Sequence, residues 1–141
     1  MNAQAVAEKV RDVMLADDAA SRMLGLQITD VSPGRAVATM TVRADMLNGF
    51  AICHGGLIAA LADSAFAFAC NSRNALTVAS GFGIDILKSA KLNDVLTATA
   101  QESSLAGRTG LYDVTVSNQD GDLIAMFRGR SHRLGDRKVF A

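Results

Sequence analysis

The sequence predicts an α+β domain, an antiparallel sheet of five to six strands wrapped around one long central helix, with a further helix at the N-terminus. Three observations carry this. The segment from Leu57 to Cys70 contains only two polar residues, Asp63 and Ser64. Its alanines and leucines favour helix, and a helix apolar all round is a buried one. Strand-like segments follow it, separated by short polar turns, and a Pro-Gly hairpin signal precedes it. Such short turns cannot hold parallel crossovers, so the strands run antiparallel.

Taken in order, residues Ala3–Ala16 read as a helix, with Val6, Val10, Val13 and Met14 at helical spacing. The turn Ser32-Pro33-Gly34-Arg35 separates Leu26–Val31 from Ala36–Val42. In the second run Ala36, Ala38, Met40 and Val42 alternate with Val37, Thr39 and Thr41, the period of a strand. A polar link at Asp45–Asn48 leads to His54-Gly55-Gly56 and the long helix. Beyond it, Thr77–Lys88, Val95–Ser103, Thr109–Val116 and Leu123–Arg130 read as strands. Turns at Lys91–Asp94, Leu105–Arg108 and Asn118–Gly121 divide them. The 141 residues suit one domain spanning 1–141, with no repeat or linker to divide it.

Composition removes several classes of function. Lys plus Arg equals Asp plus Glu at 14 each, so no global field favours nucleic acid or an anionic membrane. With no Trp and one Tyr there is no aromatic platform for single-stranded nucleic acid. The apolar segment is too short for a membrane span, and acidic residues at Glu8, Asp12, Asp17 and Asp18 are unlike a signal peptide. Cys53 and Cys70 lack a CxxC partner, and two histidines without matching carboxylates make no metal site. The expectation is a cytoplasmic protein with free thiols, no metal and no cofactor.

Asp63 is the residue that demands an explanation. A carboxylate within an apolar helix needs hydrogen bonds or a functional reason, because burying it unpaired costs several kcal/mol. At the helix start, Gly55 and Gly56 expose backbone N–H groups with no side chain to block a ligand, where the helix dipole favours negative charge. That is a donor set for an oxyanion. The two groups stand eight residues apart, roughly 12 Å along a helix at about 1.5 Å per residue. One carbonyl does not reach both on the same chain. Two antiparallel copies of the helix across a two-fold axis remove the difficulty, which points to a site shared between subunits. Cys53 beside His54 is structural on this reading, because sequence neighbours point in different directions.

With those residues in view, the chain resembles the PaaI-type thioesterases of the hotdog superfamily, from about Met23 to Leu134. The resemblance rests on Asn48-x5-His54-Gly55-Gly56-x6-Asp63, Ala67–Ser72, Ile84–Lys88 and Phe127–His132. It implies an acyl-CoA thioesterase acting on aryl- or phenylacetyl-type CoA thioesters, working as a homodimer or homotetramer. Asp63 matches the general base or nucleophile, Gly55 the residue whose N–H polarises the thioester carbonyl, and Asn48 and His54 polar neighbours of the reacting centre. Many relatives have glycine three residues after the asparagine, where this chain has Ala51. Others carry a water-orienting hydroxyl on the next strand, for which Ser80 is the nearest candidate. Lys88, Arg108, Arg128 and Arg130 are candidates for the CoA phosphates, within a basic stretch that continues through Arg133, Arg137 and Lys138. Phe50, Phe66, Phe68 and Phe82 are candidates for an acyl pocket. The rival readings are a non-catalytic acyl-CoA-binding module and a hotdog acyl-CoA dehydratase.

Overall fold

The side-chain alternation foreseen for the second strand sets the architecture. Ala36, Ala38, Met40 and Val42 are each at most 1 % exposed. The computed structural model describes residues 1–141. Helix α1 spans Ala3–Ala16 and α2 Ala19–Leu24. A hairpin follows, β1 (Gln27–Ser32) and β2 (Arg35–Thr41), then α3 (Gly55–Cys70) and the strands β3 (Thr77–Ile86), β4 (Val95–Ala106), β5 (Thr109–Ser117) and β6 (Leu123–Arg133). All six strands form one antiparallel sheet in the order β1-β2-β4-β5-β6-β3. The sheet curls around α3, and Ile58, Leu61, Phe66 and Phe68 pack against Leu96, Tyr112, Val114 and Phe127 in one core. The hotdog architecture expected from the resemblance is the one observed.

Local chemistry explains the ends. Asn2 caps α1 by accepting the Ala5 N–H at 2.8 Å, and Asp18 caps α2 through the Ser21 N–H at 3.0 Å. Helix α2 has no counterpart in the sequence reading, because six residues are too few for a periodicity to show. Strand β3 stops at Ile86 rather than Lys88, since the Leu87 and Lys88 N–H groups both turn to the Ile124 carbonyl. Strand β6 continues inward-outward alternation through Arg133. On it, Gly129 is obligatory for close approach: a Cβ there would lie 2.8 Å from the Phe66 ring.

One expectation needs correction. Helix α3 is not buried all round. Ala59, Ala60, Asp63, Ser64 and Ala67 form a half-buried stripe, because the sheet covers only one side of the helix within a single chain. That stripe adjoins β3, an edge strand with no neighbour on its outer side. Val78, Phe82 and Ile86 on it are 43 %, 51 % and 46 % exposed. The ten-residue edge is open and carries apolar side chains, the kind of edge that favours pairing with another strand. No helix of the chain is long and apolar enough to cross a membrane.

Candidate active site

The loop before α3 is built to present the helix start. Asn48 Oδ1 accepts the Phe50 N–H at 2.9 Å and the Ile52 N–H at 3.4 Å. The Cys53 N–H bonds the Ala90 carbonyl at 2.8 Å, and the His54 N–H bonds the Met46 carbonyl at 2.9 Å. Asn48 therefore organises its own loop, and its amide nitrogen is left unused by the chain. Ala51 in this loop has φ 58, a left-handed conformation that suits glycine. Glycine at this position would carry no such strain.

The first turn of α3 sorts its donors. His54 is the N-cap, and its Nδ1 accepts the Gly56 N–H at 3.1 Å. The Leu57 and Ile58 N–H groups both turn to the His54 carbonyl. Of the first-turn donors, only the Gly55 N–H finds no acceptor in the chain. Of the two glycines at the helix start, Gly56 is thus engaged by His54, and Gly55, the one the resemblance matches to the carbonyl-polarising residue, keeps a free N–H. A Cβ on Gly55 would sit 2.9 Å from Ile86 Cδ1, so this residue must lack a side chain for β3 to close on the helix start.

Asp63 lies two turns further along, facing a groove of about 320 Å³. Phe66, Ala67, Leu76, Val78 and Ala79 form most of its walls, with Met14 from α1 and Val139 from the C-terminal segment. No group of the chain hydrogen-bonds its carboxylate, and burial pushes its pKa above the ordinary carboxylate range. An unpaired acid held in an apolar groove is poised to accept a proton or to attack a carbonyl. Ser80 does not line this groove. It occupies a bulge in β3, and its hydroxyl donates to the Arg130 carbonyl at 3.1 Å. Both thiols are buried, and desolvation pushes both up, Cys70 to about 12, which disfavours the thiolate form a nucleophile needs. No group of three or more metal-ligating side chains occurs.

The basic residues divide by strand face. Gly129 and Ser131 of β6 point toward α3, whereas Arg128 and Arg130 point away from it. Arg128 is held bidentately by Asp113, at 2.7 and 2.9 Å, and Lys88 pairs with Asp122 at 2.5 Å. Each carboxylate is drawn below its usual range by its partner. Arg130 Nε donates to Ser80 Oγ at 3.3 Å. Arg108 is different. It opens with Arg73 and Arg133 onto a hollow of about 230 Å³ beyond the C-terminal end of α3. Arg73 is paired with Glu102, but neither Arg108 nor Arg133 joins an ion pair, and Arg133 Nε is buried without an acceptor. Within the basic stretch the strand period singles out Arg133, since it follows Gly129 and Ser131 in steps of two.

Of the aromatic candidates, Phe66 and Phe68 are core residues and Phe50 is 87 % exposed on the loop before α3. Phe82 is open to solvent on one side and stacked on Phe127 on the other, with ring centroids 4.8 Å apart.

Comparison with known proteins agrees with this fold. Residues 50–125 match the family model described as Thioesterase superfamily. The acyl-coenzyme A thioesterase PaaI of Escherichia coli is 48 % identical over 122 residues, covering 86 % of this chain and 87 % of that protein. The solved structure of the E. coli PaaI protein from the phenylacetic acid degradation operon superposes with a TM-score of 0.94 at 44 % identity, over 96 % of this chain and 99 % of that one. A Streptococcus mutans protein solved bound to acetyl CoA, smu.793, superposes with a TM-score of 0.77 at 28 % identity, over 80 % of this chain and 91 % of that one. The match in sequence and fold runs through most of the chain, and this protein belongs to the thioesterase superfamily as a PaaI-type hotdog-fold thioester hydrolase.

Proposed function

We propose that this enzyme hydrolyses aryl- or phenylacetyl-type CoA thioesters in a site shared between two subunits. The observation that carries the reading is the pairing of one free donor with one free acid. Gly55 alone of the first-turn N–H groups is unclaimed, and Asp63 alone in the groove has an unclaimed carboxylate. Eight residues of helix, about 12 Å, separate them within a chain. Pairing of the open β3 edge with a second copy brings the half-buried stripe of one α3 toward the other, so that Asp63 faces Gly55 of the partner subunit. Association of two such dimers gives the homotetramer that the resemblance implies.

In this site the Gly55 N–H, at the positive end of the helix dipole, stabilises the oxyanion that forms as the carbonyl is attacked. Asp63 in its ionised form either takes a proton from the attacking water or attacks the carbonyl itself. In the first route the tetrahedral intermediate collapses, the C–S bond breaks, and Asp63 returns the proton to the departing CoA sulfur. His54 and Asn48 act as positioning residues, His54 by capping Gly56 and Asn48 by shaping the loop. The smu.793 complex with acetyl CoA supports CoA thioesters as the substrate class. For the CoA phosphates we assign Arg108, with Arg133 beside it, as the arginines that open onto the hollow without carboxylate partners. Lys88 and Arg128 would have to exchange their carboxylate partners to serve, whereas Arg130 is held only by the Ser80 hydroxyl and lies on the other face of β6.

A thiol-release assay with a panel of acyl-CoAs tests the reading. Phenylacetyl-CoA should lead the panel, and Asp63→Asn should lower turnover by about 10²–10⁴-fold with the fold retained. Turnover within threefold of the unmodified enzyme would make Asp63 a structural acid.

A further inference from the structure

The groove beside Asp63 has a wall that the thioesterase core does not supply. Its helix side runs from Asp63 through Phe66 and Ala67 to Cys70 and the capping Asn71, and its strand side from Leu76 to Ala79, but Met14 and Val139 come from the two ends of the chain. Both lie outside residues 50–125, the stretch that matches the family model. Val139 is held there by a dedicated clamp. Asn74, at φ 63, accepts the Val139 and Phe140 N–H groups on Oδ1 at 3.0 Å each. Its Nδ2 donates to the Phe140 carbonyl at 3.1 Å. Upstream, the Leu76 N–H bonds the Arg137 carbonyl at 3.0 Å, and the Leu134 N–H bonds the Leu76 carbonyl at 2.9 Å. Lys9 Nζ lies 4.4 Å from the Phe140 ring centroid and ties the segment to α1.

The chemistry of the groove identifies its occupant. The pantetheine arm of CoA carries amides, which need donors and acceptors when buried. Asn71 spends its side chain on the Thr77 N–H and on the Ala67 and Thr77 carbonyls, while Thr77 Oγ1 donates to the Ala75 carbonyl. Asp63 is left as the free polar group among apolar walls. Such a groove suits the hydrocarbon of an acyl group lying against the reacting carboxylate.

We propose that Val139, with Met14 beside it, sets the size of acyl group admitted next to Asp63, and that Asn74 is the positioning residue that holds Val139 in place. The proposal rests on the thioesterase reading of the site and adds the determinant of its acyl selectivity. The test compares kcat/KM across linear acyl-CoAs from butanoyl to dodecanoyl, and phenylacetyl-CoA, for the unmodified enzyme and three variants. Val139→Ala should shift the preferred chain to greater length, raising the long-to-short ratio by about tenfold. Val139→Phe should move the ratio the opposite way by a similar factor and penalise phenylacetyl-CoA while sparing butanoyl-CoA. Asn74→Ala should shift selectivity in the direction of Val139→Ala, by freeing the segment. Thermal unfolding verifies that each variant is folded. Variants whose length profiles superpose on that of the unmodified enzyme, or fall uniformly at every length, would overturn the proposal. If the unmodified enzyme hydrolyses none of the panel, the substrate reading itself has failed, a result distinct from an unchanged profile.

Discussion

At Asp63 the environment settles what the residue type leaves open. Burial raises its pKa with no compensating donor, so ionisation costs folding energy. The folded-state pKa exceeds the unfolded one, and the folded chain therefore binds its proton more tightly. The resulting penalty is absent below the ordinary carboxylate pKa and fully present above the raised one. Asp63→Asn should accordingly unfold at a higher temperature than the unmodified protein at neutral pH, with the gap closing in acid; a pH series of thermal melts checks it. Turnover should show the matching limb, rising with pH as the carboxylate ionises above the usual range. An equal or lower melting temperature for the Asn variant at neutral pH would mean that Asp63 has a stabilising partner in the assembled protein. Ala51 is the second residue with a legible cost. An L-residue at φ 58 is strained, so Ala51→Gly should stabilise the protein by about 0.5–1 kcal/mol, read as a rise in the denaturant midpoint at unchanged slope.

Among the elements, β3 and α3 carry the functional geometry. Strand β3 supports Gly55 through Ile86, walls the Asp63 groove through Val78 and Ala79, and leaves its outer edge unpaired. Lysine on an edge strand opposes pairing with another strand by charge and desolvation. Val78→Lys should therefore shift the dimer toward monomer in sedimentation analysis and reduce turnover, with circular dichroism unchanged. A variant that remains dimeric and active would place the subunit contact on another surface. The strands also sort the basic residues by face. Composition lists Arg128, Arg130 and Arg133 as one cluster, but the period of β6 sends the first two to one face and aims the third at the hollow by α3.

For the whole molecule, the proposed function requires that neither chain alone complete a site. Mixing an Asp63→Asn chain with a Gly55→Val chain gives heterodimers with one doubly defective site and one intact site. Activity should return toward about a quarter of the unmodified level if chains exchange at random. Because a Cβ at Gly55 meets Ile86, the Gly55→Val chain must first be verified as folded. Absence of recovery in proven heterodimers would put both groups to work within one chain.

Local physics made much of this protein readable before its fold was known. The period-two run of Ala36 to Val42, the apolar length of α3 and the turn residues between strands each encode their structure within a few neighbouring residues. The motif joining His54, Gly55 and Asp63 was legible for the same reason, since helix spacing is local. What the tertiary structure alone decided depends on contacts between distant segments. Asp113 and Asp122 occupy Arg128 and Lys88, and Asn74 draws Val139 to the wall of the Asp63 groove. Those pairings follow from which side chains the curled sheet and the chain ends bring within hydrogen-bonding reach, and sequence separation carries no record of that distance.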